Sequence, residues 1–225
     1  MPTSPEDKGF GQGSVELARW AERTFRPEDE ILREIRARSA AAGLPAIAVG
    51  RMDGLHLELL ARAAAATRAV EIGTLGGYSG VCLLRGMGER GHLHTFEFSP
   101  HHAAVARESF ARAGVADRVR IHVGPALEHL TGIEAEGPFD LVFIDADKTG
   151  YPAYLSWAEE HLRTGGMVLC DNAFGWGDVV DPSLAPSPDG VRALAECAER
   201  LGRGGRWRAT LLPTAEGLAL GIKVR

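Results

Sequence analysis

What most constrains this chain is an alternation of apolar strand-like runs with amphipathic helical stretches, in which the strand ends carry charge. Leu141-Val142-Phe143-Ile144 is a run of β-formers that stops abruptly at Asp145-Ala146-Asp147-Lys148. An uninterrupted apolar run reads as a strand buried on both faces, as in a parallel sheet. In open α/β sheets ligands bind just beyond the carboxyl ends of such strands, so these charges fall where chemistry is expected. The pattern recurs at Met167-Val168-Leu169-Cys170, which is followed by Asp171-Asn172.

Upstream and downstream the same alternation holds. Strands are expected at Ala69–Ile72, Leu93–Phe96, Val119–Val123, Phe139–Ile144 and Met167–Cys170, with helices at 78–87, 100–113, 125–130, 151–162 and 191–201 between and after them. Strand–helix alternation of this kind builds βαβ units around a parallel sheet. Trp207–Leu212 and Leu218–Val224, joined by Pro213 to Gly217, suit a hairpin closing one sheet edge. Ahead of the first strand, Val15–Phe25, Glu28–Ala42 and Gly54–Ala66 read as helices, the second with Pro27 at its first position and acids in its first turn. The expected organisation is a flexible N-terminus over 1–13 and one doubly wound α/β domain over 14–225. Within that domain, helices occupy 14–66 and the Rossmann-like core 67–225.

Bulk properties exclude other classes. With 225 residues, 45% of them hydrophobic, the chain has enough material for one good core. A net charge of −5 speaks against nucleic-acid or polybasic membrane partners. No apolar stretch approaches the ~20 residues needed to span a bilayer, and the N-terminus lacks a signal pattern. Cys82, Cys170 and Cys197 are scattered, without CxxC, as expected of free thiols in a reducing cytoplasm.

At the first strand, Glu71 precedes a glycine turn, Gly73-Thr74-Leu75-Gly76-Gly77, whose spacing is not the G-x-G-x-x-G of dinucleotide enzymes. The turn still lets a backbone approach a ligand closely. Glu97, at the tip of the second strand, is placed to hold both hydroxyls of a ribose. Together they point to an adenosine-type cofactor without a diphosphate, with S-adenosylmethionine the leading candidate. Taken alone, the glycines read equally well as a tight turn and Glu97 as a solvated strand end.

At the other end of the site, Asp145, Asp171 and Asn172 would meet if the fourth and fifth strands are neighbours. Two carboxylates and an amide carbonyl are hard oxygen ligands, suited to Mg²⁺, Ca²⁺ or Mn²⁺ rather than to a structural Zn²⁺. Taken alone, Asp171-Asn172 reads better as an Asx turn or helix cap. Lys148 stands out because the only lysines are Lys8, Lys148 and Lys223; elsewhere the chain uses Arg. A lysine can give up its proton where an arginine cannot, so Lys148 is a candidate general base, its alternative being a surface pair with Asp147.

These residues resemble those of the cation-dependent O-methyltransferases, the family of catechol and caffeoyl-CoA O-methyltransferases and their small bacterial relatives. The matching stretches are Val70-Glu71-Ile72-Gly73-Thr74 with Gly77-Tyr78-Ser79, Gly124-Pro125-Ala126-Leu127, Phe143 to Lys148, and Asp171-Asn172. The resemblance runs from about residue 14 to the end. It implies a class I S-adenosylmethionine-dependent methyltransferase fold: a seven-stranded, mostly parallel sheet with an antiparallel last strand. It also implies Asp145, Asp171 and Asn172 as metal ligands, Lys148 with Asp145 as the catalytic residues, and a homodimer. Val49, Glu71, Gly73, Thr74, Tyr78, Ser79, Glu97, Ala126 and Asp145 are implied as cofactor contacts. The expected reaction is methyl transfer from S-adenosylmethionine to a vicinal dihydroxy aromatic. A metal-dependent phosphohydrolase built on Asp145-x-Asp147 and a non-catalytic adenosine-ligand sensor are the alternatives. A nicotinamide dehydrogenase is disfavoured by the glycine spacing. The chain departs from the pattern at Leu55, where many relatives carry Gln. It departs again at Trp176, where the plant enzymes place a polar substrate-binding residue. Phe10, Trp20 and Phe25 are further candidates for an acceptor pocket, though helix packing accounts for them better.

Overall fold

The structure, a computed structural model, describes residues 14–25 and 27–225; Phe10 and the expected flexible segment over 1–13 lie outside the described residues. Seven strands form one sheet: β1 (Arg68–Ile72), β2 (His92–Glu97), β3 (Val119–Val123), β4 (Phe139–Ile144), β5 (Leu162–Cys170), β6 (Trp207–Leu212) and β7 (Leu218–Lys223). Their spatial order is β3-β2-β1-β4-β5-β7-β6. The first five run parallel; β7 is antiparallel to both β5 and β6, so the closing hairpin inserts its second strand against the parallel block. The order reverses between β1 and β4, which places a crevice at the tips of β1, β2, β4 and β5.

Alternate residues of the strands feed separate cores on the two sheet faces. In β4, Leu141 and Phe143 pack into one cluster while Val142 and Ile144 pack into the other. That two-sided burial is why the run carries no polar residue between Leu141 and Ile144. One face is covered by α3 (Arg51–Ala63), α4 (Tyr78–Met87) and α5 (Pro100–Arg112), with α2 (Glu30–Ala41) against them. The other is covered by α6 (Ala126–His129), α7 (Tyr151–His161) and α8 (Pro188–Arg203).

Several boundaries differ from expectation for identifiable reasons. The second helix starts at Glu30, not at Pro27, because Asp29 caps it by accepting from the Leu32 amide at 3.0 Å. Glu28 is thereby released from the helix and becomes a hub. It accepts from Arg36 Nε at 2.5 Å, Arg51 Nε at 3.0 Å and Tyr78 Oη at 2.9 Å. The third helix begins at Arg51, ahead of Gly54, which sits inside it against the Tyr78 ring. Strand β5 starts at Leu162, because Leu162 pairs with Phe139 before a register shift carries the strand past Gly165-Gly166. In α1 (Val15–Phe25) only Ala18 and Ala21 are buried. Trp20 and Phe25, expected as packing residues, are 51% and 58% exposed and meet edge-on.

The β1–β4 register is locked at its lower end by Asp140. Its Oδ2 accepts from the Thr67 amide at 2.8 Å and the Arg68 amide at 3.0 Å, and its Oδ1 from Arg163 Nε at 2.6 Å. Burial alone would raise the Asp140 pKa, but these donors outweigh it and hold the carboxyl below its ordinary 3.8. A depressed carboxyl contributes stability above its unfolded value and loses it as pH falls through the folded one. We therefore expect Asp140→Ala to lower the unfolding free energy by about 2–3 kcal/mol at pH 7, since it strands buried donors. The difference should shrink when denaturation is repeated near pH 3; an equal loss at both pH values would contradict this role.

Candidate active site

A cleft of about 1150 Å³ opens over the tips of β1, β2, β4 and β5. Of the residues singled out in the sequence, Val49, Gly73, Thr74, Tyr78, Ser79, Glu97, Ala126, Asp145, Lys148 and Asn172 line it. Glu71 and Asp171 are buried beside it rather than lining it.

The β1 end is built on Gly73. Its φ is +105°, and a Cβ there would run into the backbone carbonyl of Asp145. Only glycine lets the β1 and β4 tips come this close. The Gly73 amide bonds the Phe96 carbonyl at 3.0 Å, and the Asp145 amide bonds the Ile72 carbonyl at 2.8 Å, so the ladders continue to the rim. The next residues turn back over β2: Leu75, at φ +47°, donates its amide to Glu97 Oε2 at 2.7 Å. Glu97 Oε1 accepts from the Ser99 amide at 2.9 Å and lies 3.3 Å from His102 Nδ1. The carboxylate is thus fixed at the cleft wall, with acceptor capacity remaining on both oxygens. Leu75, Phe98 and His102 line the same wall and were not anticipated.

Glu71 has a different place from the one expected of a cofactor contact. It is fully buried, accepting from Ser79 Oγ and Thr95 Oγ1 at 2.6 Å each, and Thr95 in turn meets Thr74 Oγ1 at 2.5 Å. It acts from below, holding Thr74 and Ser79 in position. Burial pushes its pKa up to about 7, against the lowering effect of the Ser79 and Thr95 hydrogen bonds. Tyr78 shows its ring to the cleft while its hydroxyl points away to Glu28 and Arg36 stacks 3.8 Å from the ring centre. Arg36 also donates to the Val49 carbonyl at 2.7 Å, which fixes Val49 at the wall.

The β4 and β5 tips bring together the charges noted in the sequence. Lys148 Nζ donates to Asp145 Oδ1 at 3.0 Å and to Tyr151 Oη at 2.9 Å. Its expected alternative partner, Asp147, instead accepts from Tyr154 Oη at 2.6 Å. Asn172 adopts φ +59°, a left-handed conformation that Asn tolerates better than most residues. Its Nδ2 donates to Glu216 Oε2 at 2.8 Å, which leaves the amide oxygen as the free end. Asp171 is held well above the usual carboxylate range, by burial first and then by the negative charges of Asp145, Asp53 and Glu216; Lys148 opposes them. Asp53 Oδ1 is buried without a hydrogen-bond partner, with His56 Nδ1 3.8 Å away.

A divalent cation fits this donor set: two carboxylates and an amide oxygen on adjoining strand tips, one carboxyl being held above its usual range by burial and neighbouring negative charge. No three His, Cys, Asp or Glu side chains converge as a closed cage among the described residues, so other positions would belong to water or to a bound oxygen ligand. Glu216, Asp53 and Tyr151 escaped the sequence reading. Only Tyr151, three residues after Lys148 at the start of α7, carried a usable spacing signal.

A family model described as O-methyltransferase matches residues 22–224. The chain belongs to the O-methyltransferase family. It is 49% identical over 156 residues to a catechol O-methyltransferase of Mycobacterium tuberculosis, covering 69% of this chain and 70% of that one. It is 40% identical over 168 residues to a catechol O-methyltransferase of Niastella koreensis, covering 73% and 76%. The crystal structure of an O-methyltransferase from Bacillus cereus in complex with SAH superimposes with a TM-score of 0.85 at 36% identity, covering 92% and 97%. The protein is therefore a methyltransferase, and the phosphohydrolase reading of Asp145-x-Asp147 falls away. No helix among the described residues is long and apolar enough to cross a membrane.

The buried Glu71 makes a pH signature. Because its folded pKa is raised from 4.5 to about 7, the stability it contributes is complete below pH 4.5 and is lost as pH rises through 7. Unfolding free energies of the wild type relative to Glu71→Gln should fall across that window and level off above it. A pH-independent difference would mean that Glu71 ionises as in water.

Proposed function

We propose that this methyltransferase transfers the methyl group of S-adenosylmethionine to one hydroxyl of a catechol-like acceptor, a vicinal dihydroxy aromatic. We further propose that it does so with a divalent cation, Mg²⁺ or in its place Ca²⁺ or Mn²⁺, held by Asp145, Asp171 and Asn172. The observation that carries this reading is one cleft with Glu97 on one wall and the Asp145–Lys148 pair, 3.0 Å apart, on the other. Relatives named catechol O-methyltransferase support the acceptor class, and the SAH-bound neighbour supports the methyl donor.

When bound, S-adenosylmethionine supplies an electrophilic sulfonium methyl and the cation lowers the pKa of the acceptor hydroxyl. The protein supplies the rest. Glu97, anchored by the Leu75 and Ser99 amides, receives the ribose hydroxyls. Gly73 and Thr74 form the floor under the donor, with Ala126 on the wall. Lys148 takes the proton from the acceptor oxygen and returns it to solvent, so no covalent enzyme intermediate is needed. Fixing the oxygen and methyl in near-attack geometry is worth up to roughly 7–11 kcal/mol.

Purified enzyme should methylate catechol with added Mg²⁺, lose activity in EDTA and regain it on Mg²⁺ return; EDTA-insensitive turnover would remove the cation. Lys148→Ala should keep S-adenosylmethionine affinity while turnover falls by about 10²–10⁴-fold, the usual contribution of a positioned base. Undiminished turnover in that variant would remove Lys148 from the role. The exposed Val15, Trp20 and Phe25 on α1 support a homodimer. Light scattering should then give twice the 24.1 kDa chain mass, and a monomer mass would contradict it.

A further inference from the structure

We propose that Tyr151 is a positioning residue that aims the Lys148 amine at the acceptor hydroxyl. This inference rests on the base role given to Lys148 above. Tyr151 is fully buried at the start of α7. Its hydroxyl lies 3.2 Å from the Ile144 carbonyl and 3.3 Å from the Asp171 carbonyl. The single O–H proton is thus committed to backbone acceptors at the β4 and β5 tips, and the oxygen lone pairs are turned toward Lys148 Nζ at 2.9 Å.

Two N–H groups of the Lys148 amine have fixed acceptors, Asp145 Oδ1 at 3.0 Å and Tyr151 Oη at 2.9 Å. Together these two acceptors hold the head group to one orientation at the cleft that Lys148 lines. The first turn of α8 packs against the segment that carries Lys148, and Gly190 leaves room there: a Cβ on it would stand 3.2 Å from Lys148 Cβ. A flexible side chain is thereby held at its head by Tyr151 and Asp145. Because Tyr151 touches the backbone of both tips, it keeps the base in register with Asp145 and Asp171. The Ile144 carbonyl also accepts from the Asp171 amide at 3.0 Å, so loss of the phenol oxygen leaves it paired.

Tyr151→Phe keeps the buried ring and removes only the oxygen. We expect kcat for catechol to fall at least about tenfold. KM for catechol and for S-adenosylmethionine should stay within about threefold, with one SAH bound per chain. The deciding measurement is a double-mutant cycle on single-turnover rates. If Tyr151 acts through Lys148, adding Tyr151→Phe to Lys148→Ala should change the rate by less than about twofold, because the partner is already gone. Wild-type kcat in Tyr151→Phe, or the same fold-loss in both backgrounds, would overturn the proposal, the second result marking a purely structural role. Should the Phe variant not fold, 3-fluorotyrosine placed at position 151 supplies a weaker acceptor oxygen on the same ring, and kcat should fall with KM unmoved; unchanged kcat would again overturn it. Full turnover in Lys148→Ala alone would instead overturn the base assignment beneath it, so the two failures are distinguishable.

Discussion

Everything in this active site depends on how closely the tip of β1 approaches the tip of β4. Gly73 stands where a side chain would strike the Asp145 carbonyl, and the ladders on either side of it continue unbroken to the rim. That contact puts the cofactor wall and the charged wall of the cleft within reach of one another. Asp140 secures the same strand pair from the opposite end, by gathering the Thr67 and Arg68 amides and the Arg163 guanidinium. The distance across the site is therefore set by backbone packing, and the side chains decorate a fixed frame.

On that frame the electrostatics centre on Asp171. Burial and the negative charges of Asp145, Asp53 and Glu216 raise its pKa, and Lys148 opposes them. Burying several carboxylates together is costly unless positive charge is supplied. Lys148 supplies positive charge beside Asp171, and the proposed divalent cation would supply more. The same lysine is held by two acceptors, so its direction is controlled by neighbouring groups. Glu71, by contrast, is a buried acid put to structural use: it spends its two oxygens on Ser79 and Thr95 and never meets the cleft.

Much of this could be read from the chain because parallel strands buried on both faces leave a plain apolar signature, broken only at their tips. Val119–Val123, Phe139–Ile144 and Trp207–Leu212 have the expected limits, and the residues directly after β1, β2, β4 and β5 fall in or beside the cleft. What escaped is what depends on tertiary contact. Glu28 looked like a first-turn helix acid but is pulled out by the Asp29 cap and clamped by Arg36, Arg51 and Tyr78. Glu216 sits in a hairpin turn whose closeness to Asn172 follows only from β7 pairing with β5. Asp53 is distant in sequence from the groups it repels, and Tyr151 reads as an ordinary aromatic core residue until the direction of its hydroxyl is known. Periodicity reports which face a residue occupies, not which polar atoms meet there.

The central claim is that the assembled site ionises one acceptor hydroxyl at the β4–β5 tips. Ultraviolet difference spectra of catechol bound with SAH test it most directly, because the ionised phenol absorbs at longer wavelength than the neutral one. The ionised band should appear at neutral pH with Mg²⁺ present and vanish in EDTA and in Asp171→Ala. A neutral-phenol spectrum in the complete complex, or an ionised band of equal strength without any cation, would contradict the account.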